Sequence, residues 1–205
     1  MGSSHYELTE EKCKKIVKEI VKGLAFIHGQ QIVHLDIKPQ NIMLVDRQEE
    51  FKLKLIDFGL AKHLTGGRVR VGFAGTVGFM APEVANCQYG QNYEELASPA
   101  TDMFSLGVVA YMLLSGGREP FWEGNEIRTI RNTLRKDPSF NFPEFDNISE
   151  NGKHFIKGEV FIIDYVNYDT KLIRVAGEVP EKEDDSRTVS EASLAGGRKT
   201  PCPVC

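Results

Sequence analysis

Apolar residues recur every three or four positions in the first part of the chain, and this spacing predicts one amphipathic helix over residues 9–28. Thr9 can cap the start of this helix, while Glu10 and Glu11 suit the positive end of the helix dipole. The repeat places a set of apolar side chains on one face, against the core: Cys13, Ile16, Val17, Ile20, Val21, Leu24 and Ile27. Lysines occupy the other face, so we expect that side to be solvated.

Short strands and further helices are predicted downstream. Residues 42–45 form an apolar run, and residues 51–55 alternate apolar and polar side chains, as a half-buried strand does. Residues 103–114 are apolar on all sides, which predicts a buried helix. Residues 125–135 carry an apolar stripe flanked by arginines and predict another helix. A last helix is expected to begin within residues 149–157.

The remaining stretches carry weaker patterns. Residues 60–80 are glycine-rich and are predicted to be irregular, and residues 84–100 are predicted to form a polar loop. Residues 159–175 have the pattern of a strand, a turn and a second strand. Residues 180–205 are acidic and then rich in Ser, Gly and Pro, which is the composition of a disordered tail.

The candidate chemistry lies in a polar loop after the apolar pair Ile32-Val33. This loop reads His34-Leu35-Asp36-Ile37-Lys38-Pro39-Gln40-Asn41, and Asp57-Phe58-Gly59 and Ala81-Pro82-Glu83 follow it in that order. Each motif alone is weak, but their coincidence in order is a strong signal. Together they resemble the catalytic loop, the metal-binding turn and the end of the activation segment of eukaryotic protein kinases. Leu35 and Lys38 favour the serine/threonine kinases of the calmodulin-dependent group, such as the death-associated and myosin light-chain kinases.

The resemblance implies a role for each of five residues. Asp36 would accept or orient the proton of the acceptor hydroxyl, and Lys38 would neutralise the phosphoryl group in transfer. Thr76 would hydrogen-bond with both of these side chains. Asn41 and Asp57 would hold Mg²⁺ ions that bridge the phosphates of ATP.

Three further residues are implied in nucleotide binding. Met43 would form the floor of the adenine pocket, Ile56 precedes the metal-binding Asp57, and Gln40 stands beside them in the loop. The cofactors expected from the resemblance are ATP and Mg²⁺. The expected partners are a protein substrate with a Ser or Thr acceptor and, for a longer form, a calmodulin-type regulator.

The fold expected from the resemblance is mainly α, namely the helical C-terminal lobe of a protein kinase with short β-hairpins. The N-terminal lobe is expected to be absent, because no Gly-rich phosphate loop and no paired Lys and Glu precede the catalytic loop. We assign residues 1–158 to a partial kinase domain, residues 159–179 to a strand-like segment outside it, and residues 180–205 to the tail. The arginine that usually pairs with Glu83 would be lost, so we expect an unpaired buried acid.

Composition excludes several other classes. The 205 residues are 41% apolar and 26% charged, as in ordinary globular proteins. A net charge of −4 gives no nucleic-acid footprint, and no apolar run approaches the length of a membrane span. The four cysteines do not suggest a disulfide framework, so a cytoplasmic protein that binds neither nucleic acid nor membrane is expected.

Two functions remain open at this point. The chain is either a serine/threonine protein kinase, present as a truncated catalytic domain, or a catalytically inactive lobe that binds a substrate or a regulator. The catalytic residues favour the first function, whereas the missing phosphate loop favours the second.

Overall fold

The computed structural model describes residues 8–46, 51–87, 94–135 and 137–160. Within these ranges the chain forms five α-helices: α1 (Glu10–Gly29), α2 (Pro82–Asn86), α3 (Pro99–Leu114), α4 (Glu126–Arg135) and α5 (Glu150–His154). The same ranges hold six short strands: β1 (Ile32–Val33), β2 (Ile42–Asp46), β3 (Lys52–Leu55), β4 (Lys62–His63), β5 (Val69–Val71) and β6 (Glu95–Ala97). Short 3₁₀ turns cover Pro39–Asn41 and Pro143–Phe145, and a π-helical turn covers Phe155–Val160.

Helix α1 confirms the first sequence prediction almost residue for residue. The Thr9 hydroxyl accepts a hydrogen bond from the amide of Lys12 at 3.4 Å, so Thr9 is the N-cap. The predicted apolar face is buried except for Ile16, which is half-buried, and Val21 and Leu24 have no exposed surface. This helix brings the chain to β1 and the polar loop that follows it.

Helix α3 is the centre of the main core, as its apolar sequence predicted. It begins at Pro99, a few residues before the predicted helix, because Ser98 and Thr101 form a capping box at its start. Its residues from Thr101 to Tyr111 are all buried. The Tyr111 hydroxyl donates to the carbonyl oxygen of Ser139 at 2.6 Å, which satisfies the polar end of a buried ring.

Three antiparallel two-stranded sheets position the loops around this core. They pair β1 with β4, β2 with β3, and β5 with β6. The β2–β3 hairpin confirms the two predicted strands and places Ile42 opposite Leu55. As a result the loop that ends at Asn41 lies beside the start of the segment at Ile56.

Two predictions about irregular stretches were wrong in part. Residues 60–80 contain strands β4 and β5, and the predicted polar loop over 84–100 contains the end of α2 and strand β6. Strand β6 forms because it pairs with β5, with Val69 opposite Ala97. A second cluster of buried apolar residues packs against these segments, and we call it the second core cluster. Among the described residues it includes Leu35, Leu64, Val71, Met80 and Ala97.

The last described residues are helical. The prediction that a strand-like segment begins at Glu159 is wrong for its first two residues, because the π-helical turn runs through Val160. The rest of that segment and the predicted tail lie outside the described residues. Among the helices that the structure describes, we find none with both the length and the apolar character that a membrane crossing requires.

Candidate active site

Asp36, Lys38 and Thr76 form a closed triangle of polar contacts. The Lys38 ammonium lies 2.7 Å from Oδ2 of Asp36 and donates to the Thr76 hydroxyl at 2.8 Å. That hydroxyl in turn donates to Oδ1 of Asp36 at 2.7 Å. Thr76 is therefore bound to both partners, which the resemblance implied and a simple turn threonine would not show. The structure joins residues 40 positions apart in this triangle.

The Asp36 carboxylate is held in its ionised form. Its residue is only 8% exposed, and burial alone would raise the pKa of this carboxyl. Hydrogen bonds from Lys38, Thr76 and Asn41, together with the Lys38 charge, outweigh burial and lower the pKa of Asp36 below its usual value. An ionised carboxylate at this point can accept a hydrogen bond from a hydroxyl group.

Asn41 is fixed by its amide nitrogen. This nitrogen donates to the backbone oxygen of Asp36 at 2.8 Å and to Oδ2 of Asp36 at 3.0 Å. The amide oxygen is then the group that Asn41 can offer to a cation. The backbone carbonyl oxygen of Asn41 accepts a hydrogen bond from the backbone amide of Ile56 at 2.9 Å. This bond holds Asp57, the residue after Ile56, close to Asn41 in the fold.

Asp57 stands at an exposed turn with unusual backbone geometry. Its φ is +61°, in the left-handed region that an aspartate adopts more readily than most residues. The amide of Gly59 donates to Oδ1 of Asp57 at 3.2 Å, which orients the carboxylate. Asn41 and Asp57 thus carry side-chain oxygen atoms, the type of donor that Mg²⁺ prefers.

The residues predicted for nucleotide binding lie apart from the triangle. Gln40 is exposed in the 3₁₀ turn, and Met43 is 45% exposed on β2 opposite Lys54. Ile56 is half-buried and joins the loop to the turn through its backbone. The described structure therefore gathers the predicted catalytic side chains tightly and leaves the predicted adenine-side residues open.

Asp102, a buried aspartate on α3, fixes the loop around Asp36 through hydrogen bonds to the loop backbone. Asp102 has no exposed surface, and its Oδ1 and Oδ2 accept the backbone amides of Leu35 and His34, each at 2.8 Å. The His28 ring donates from Nε2 to Oδ2 of Asp102, also at 2.8 Å. The resemblance to protein kinases also implies this bracing role for Asp102. It did not point to His28, which the sequence marks only as a histidine in the last turn of α1.

His34 is a second residue whose role the sequence analysis missed. Its Nε2 donates to the carbonyl oxygen of Ile56 at 3.2 Å, and its Nδ1 accepts from the amide of Asp36 at 3.3 Å. Its ring centroid lies 4.8 Å from that of Phe58. His34 therefore connects the catalytic loop to the turn that carries Asp57, and its place two residues before Asp36 was the available signal.

Similarity to known proteins identifies the family of this chain. The sequence model of the protein kinase domain family matches residues 2–161, so the chain belongs to the protein kinase family. Over 152 residues it is 44% identical to the smooth-muscle myosin light chain kinase of Gallus gallus, covering 74% of this chain and 8% of that protein. Over 149 residues it is 43% identical to a death-associated protein kinase of Caenorhabditis elegans, covering 73% of this chain and 10% of that protein.

A solved structure shows the same fold. The twitchin kinase region of C. elegans superposes with a TM-score of 0.69 at 33% identity, covering 89% of this chain and 31% of that one. The predicted likeness to myosin light-chain and death-associated kinases is confirmed. The chain spans only a small part of the length of these relatives.

Proposed function

We propose that this chain carries the catalytic loop of a serine/threonine protein kinase, which transfers the γ-phosphate of ATP to a Ser or Thr hydroxyl of a protein. The observation that carries the proposal is the triangle of Asp36, Lys38 and Thr76, with its ionised carboxylate. Lys38 two residues after Asp36 and the two named kinase relatives support Ser/Thr as the acceptor class.

In this proposal Asp36 orients the acceptor hydroxyl. Because its lowered pKa keeps Asp36 ionised, Asp36 accepts a hydrogen bond from that hydroxyl and orients it. As the new P–O bond forms and the bond to the ADP oxygen breaks, the proton on the attacking oxygen becomes acidic, and it then passes to Asp36. Lys38 stabilises the charge on the transferring phosphoryl group. Thr76 holds both side chains in place, since it bonds to each of them.

Asn41 and Asp57 are the residues that would hold Mg²⁺. When bound, this ion would neutralise negative charge on the ATP phosphates. Their oxygen donors fit this ion. Among the described residues no group of three or more His, Cys, Asp or Glu side chains forms a metal cluster.

We also propose that these helices form the C-terminal, mainly α-helical lobe of the kinase fold. The element order supports this, because α1 leads directly into the catalytic loop and α3 lies beneath it. The likeness to myosin light-chain kinase supports a protein substrate, and for a longer form it supports regulation of the calmodulin type.

A second function, a binding lobe without turnover, is favoured by a separate observation. Met43 and Phe58 are each 45% exposed, so the described residues leave the adenine side of the site uncovered. A chain of this kind would bind a protein substrate or a regulator through the exposed surface that includes Met43 and Phe58.

A transfer assay with Mg-ATP and a basic Ser/Thr peptide separates the two functions. For a kinase we expect phosphopeptide from the 205-residue chain and its loss by at least about a hundredfold in Asp36→Asn, as for removal of a positioned general base. The exposed Asp146 provides the matched control, because Asp146→Asn makes the same chemical change outside the site. A folded chain that binds the peptide and yields no phosphopeptide would support the binding lobe instead.

A further inference from the structure

Strand β5 lies in the glycine-rich activation segment that leads to Thr76. Gly67 stands shortly before this strand and Gly72 directly after it, so the chain around β5 has little stiffness of its own. The Thr76 hydroxyl nevertheless donates to Asp36 at 2.7 Å and accepts from Lys38 at 2.8 Å. The position of this segment therefore depends on contacts with other elements.

Strand β6 provides the backbone contact to β5. Among the strands that the structure describes, β6 alone pairs with β5. Two side chains also reach β5: the Lys62 ammonium donates to the carbonyl oxygen of Arg70 at 3.3 Å, and the Cys87 thiol donates to that of Val71 at 3.5 Å. The antiparallel sheet itself contains three pairs of opposite residues: Val69 and Ala97, Arg70 and Leu96, and Val71 and Glu95.

Strand β6 is itself fixed to two helices. Ser98 follows it directly and forms the capping box of α3 with Thr101. The Glu95 carboxylate accepts a hydrogen bond from the Asn86 side chain on α2 at 3.3 Å. The last residue of the strand, Ala97, has no exposed surface. A segment that pairs with β6 is thereby connected to α2 and to α3, the central helix of the main core.

The β5–β6 sheet also shares an apolar core with the catalytic loop. Val71 on β5 and Ala97 on β6 are both buried and belong to the second core cluster. That cluster also includes Met80 and Leu35, the residue directly before Asp36. Packing of the sheet in this cluster therefore places the activation segment beside the loop that carries Asp36.

We propose that β6 is a positioning element of the candidate active site. By pairing with β5 it holds the activation segment so that the Thr76 hydroxyl meets Asp36 and Lys38. The three residues of β6 lie outside the motifs at the catalytic loop, at Asp57 and at Glu83. The inference rests on the proposed function, because the contact that β6 secures is the one assigned to phosphoryl transfer.

The amides of Phe79 and Met80 report whether Thr76 is held in place. Both donate to the carbonyl oxygen of Thr76, at 3.0 and 3.2 Å. If β6 contributed only stability, the close approach of Gly75 to the carbonyl oxygen of Leu35 would hold Thr76 by itself. The two amides would then stay protected from hydrogen exchange when β5 separates from β6.

The test compares Glu95→Pro with Leu96→Pro in the 205-residue chain. Successive amides of a strand point to opposite sides, so one of these two amides faces β5. Proline is compatible with a strand only where the amide that it removes lies outside the ladder. One variant therefore breaks the pairing with β5, and the other is its matched control. Protection in the wild-type chain identifies the amide that faces β5, and Glu95→Ala accounts for the lost hydrogen bond from Asn86.

Hydrogen exchange is measured at single amides by NMR, without ATP or peptide. We expect the variant that breaks the pairing to exchange about tenfold faster than the wild type at Phe79 and Met80 as well as in β5, the size of one lost backbone hydrogen bond. The control variant should keep the wild-type rates. Faster exchange confined to β5, or at none of these amides, would overturn the inference, as would a wild-type chain that protects neither Glu95 nor Leu96.

The wild-type chain decides the question if the variant does not fold. In low concentrations of denaturant, β5 and the amides of Phe79 and Met80 should open with one free energy. Two separate opening free energies would contradict the proposal. Transfer to a serine peptide is measured on the same chain. Absence of transfer would refute only the kinase activity, whereas the exchange pattern alone decides the role of β6.

Discussion

At the scale of single residues, three buried or half-buried acids of this chain are compensated to different degrees. Asp36 has a cation and two further donors, and Asp102 accepts two backbone amides and the His28 ring. Glu83 accepts a hydrogen bond from the Thr101 hydroxyl, at 2.7 Å, and has no ion pair within the described ranges. The expected lack of a cation beside Glu83 therefore agrees with this structure, and the hydroxyl donor was not foreseen.

The pKa of Glu83 shows which effect dominates there. Burial raises this pKa above the usual 4.5, and the hydrogen bond from Thr101 opposes that rise without cancelling it. The negative charge of Glu95 raises the pKa further. Because the folded-state pKa is raised, the contribution of this group to stability is fully present below about 4.5 and is lost as the pH rises through the folded-state value.

We therefore predict that Glu83→Gln stabilises the chain at pH 7. Glutamine keeps an acceptor for Thr101 and carries no charge to desolvate. The gain in the free energy of unfolding should be on the order of 1 kcal/mol for each unit by which the pKa is raised, and it should vanish towards pH 4. Denaturant titrations at both pH values measure it, with the exposed Glu126→Gln as control. A loss of stability in Glu83→Gln at pH 7 would show that the charge is needed.

At the scale of elements, the catalytic loop and the activation segment meet at a very close backbone contact. Gly75 has a φ of +104°, and a Cβ at this position would lie 2.7 Å from the carbonyl oxygen of Leu35. Leu35 itself has a φ of +68°, and its side chain is buried in the second core cluster. The contact places Thr76, the next residue, against Asp36.

We predict that Gly75→Ala is strongly destabilising. Comparison with Gly66→Ala separates the cost of the positive φ from the cost of the steric overlap. Gly66 also has a positive φ, +61°, but a Cβ there would meet nothing within 4 Å. Gly66→Ala should therefore cost only about 1–2 kcal/mol of unfolding free energy, the penalty for the left-handed conformation. Gly75→Ala should cost roughly 3 kcal/mol or more, because the overlap with Leu35 adds to that penalty. Denaturant unfolding measures both variants. Equal losses of unfolding free energy would mean that the loop at Leu35 moves away from the added methyl group at little cost.

The elements also show how far the sequence could predict this structure. The predictions for α1, α4 and the β2–β3 hairpin hold because each depends on a local repeat. Strand β6 was missed because three residues carry no such repeat, and its pairing partner β5 lies more than twenty residues earlier in the chain. The motifs identified the loop residues. The hydrogen bonds that Asp102 accepts from the loop span 67 and 68 positions, and no local spacing reveals them.

At the scale of the whole molecule, the described residues cover the two sides of the candidate site unequally. The side formed by Asp36, Lys38 and Thr76 is packed over α3 through the two amides bound to Asp102. On the other side Gln40, Asp57 and Phe58 are exposed. An acceptor peptide would therefore contact side chains that are fixed by hydrogen bonds. A nucleotide would contact the described residues on one side only, which we call the open wall.

We therefore predict that the 205-residue chain binds Mg-ATP weakly, with a Kd well above about 1 μM, which corresponds to about −8 kcal/mol. The reason is that one open wall buries little of the adenine ring, so few contacts offset the lost translational and rotational freedom. Isothermal titration calorimetry measures this affinity. Asp57→Asn should abolish the binding that remains, because it removes one of two proposed metal ligands, while the exposed Asp137→Asn should leave it unchanged. Micromolar or tighter binding that depends on Asp57 would show that the chain itself covers the nucleotide, contrary to the open wall formed by the described residues.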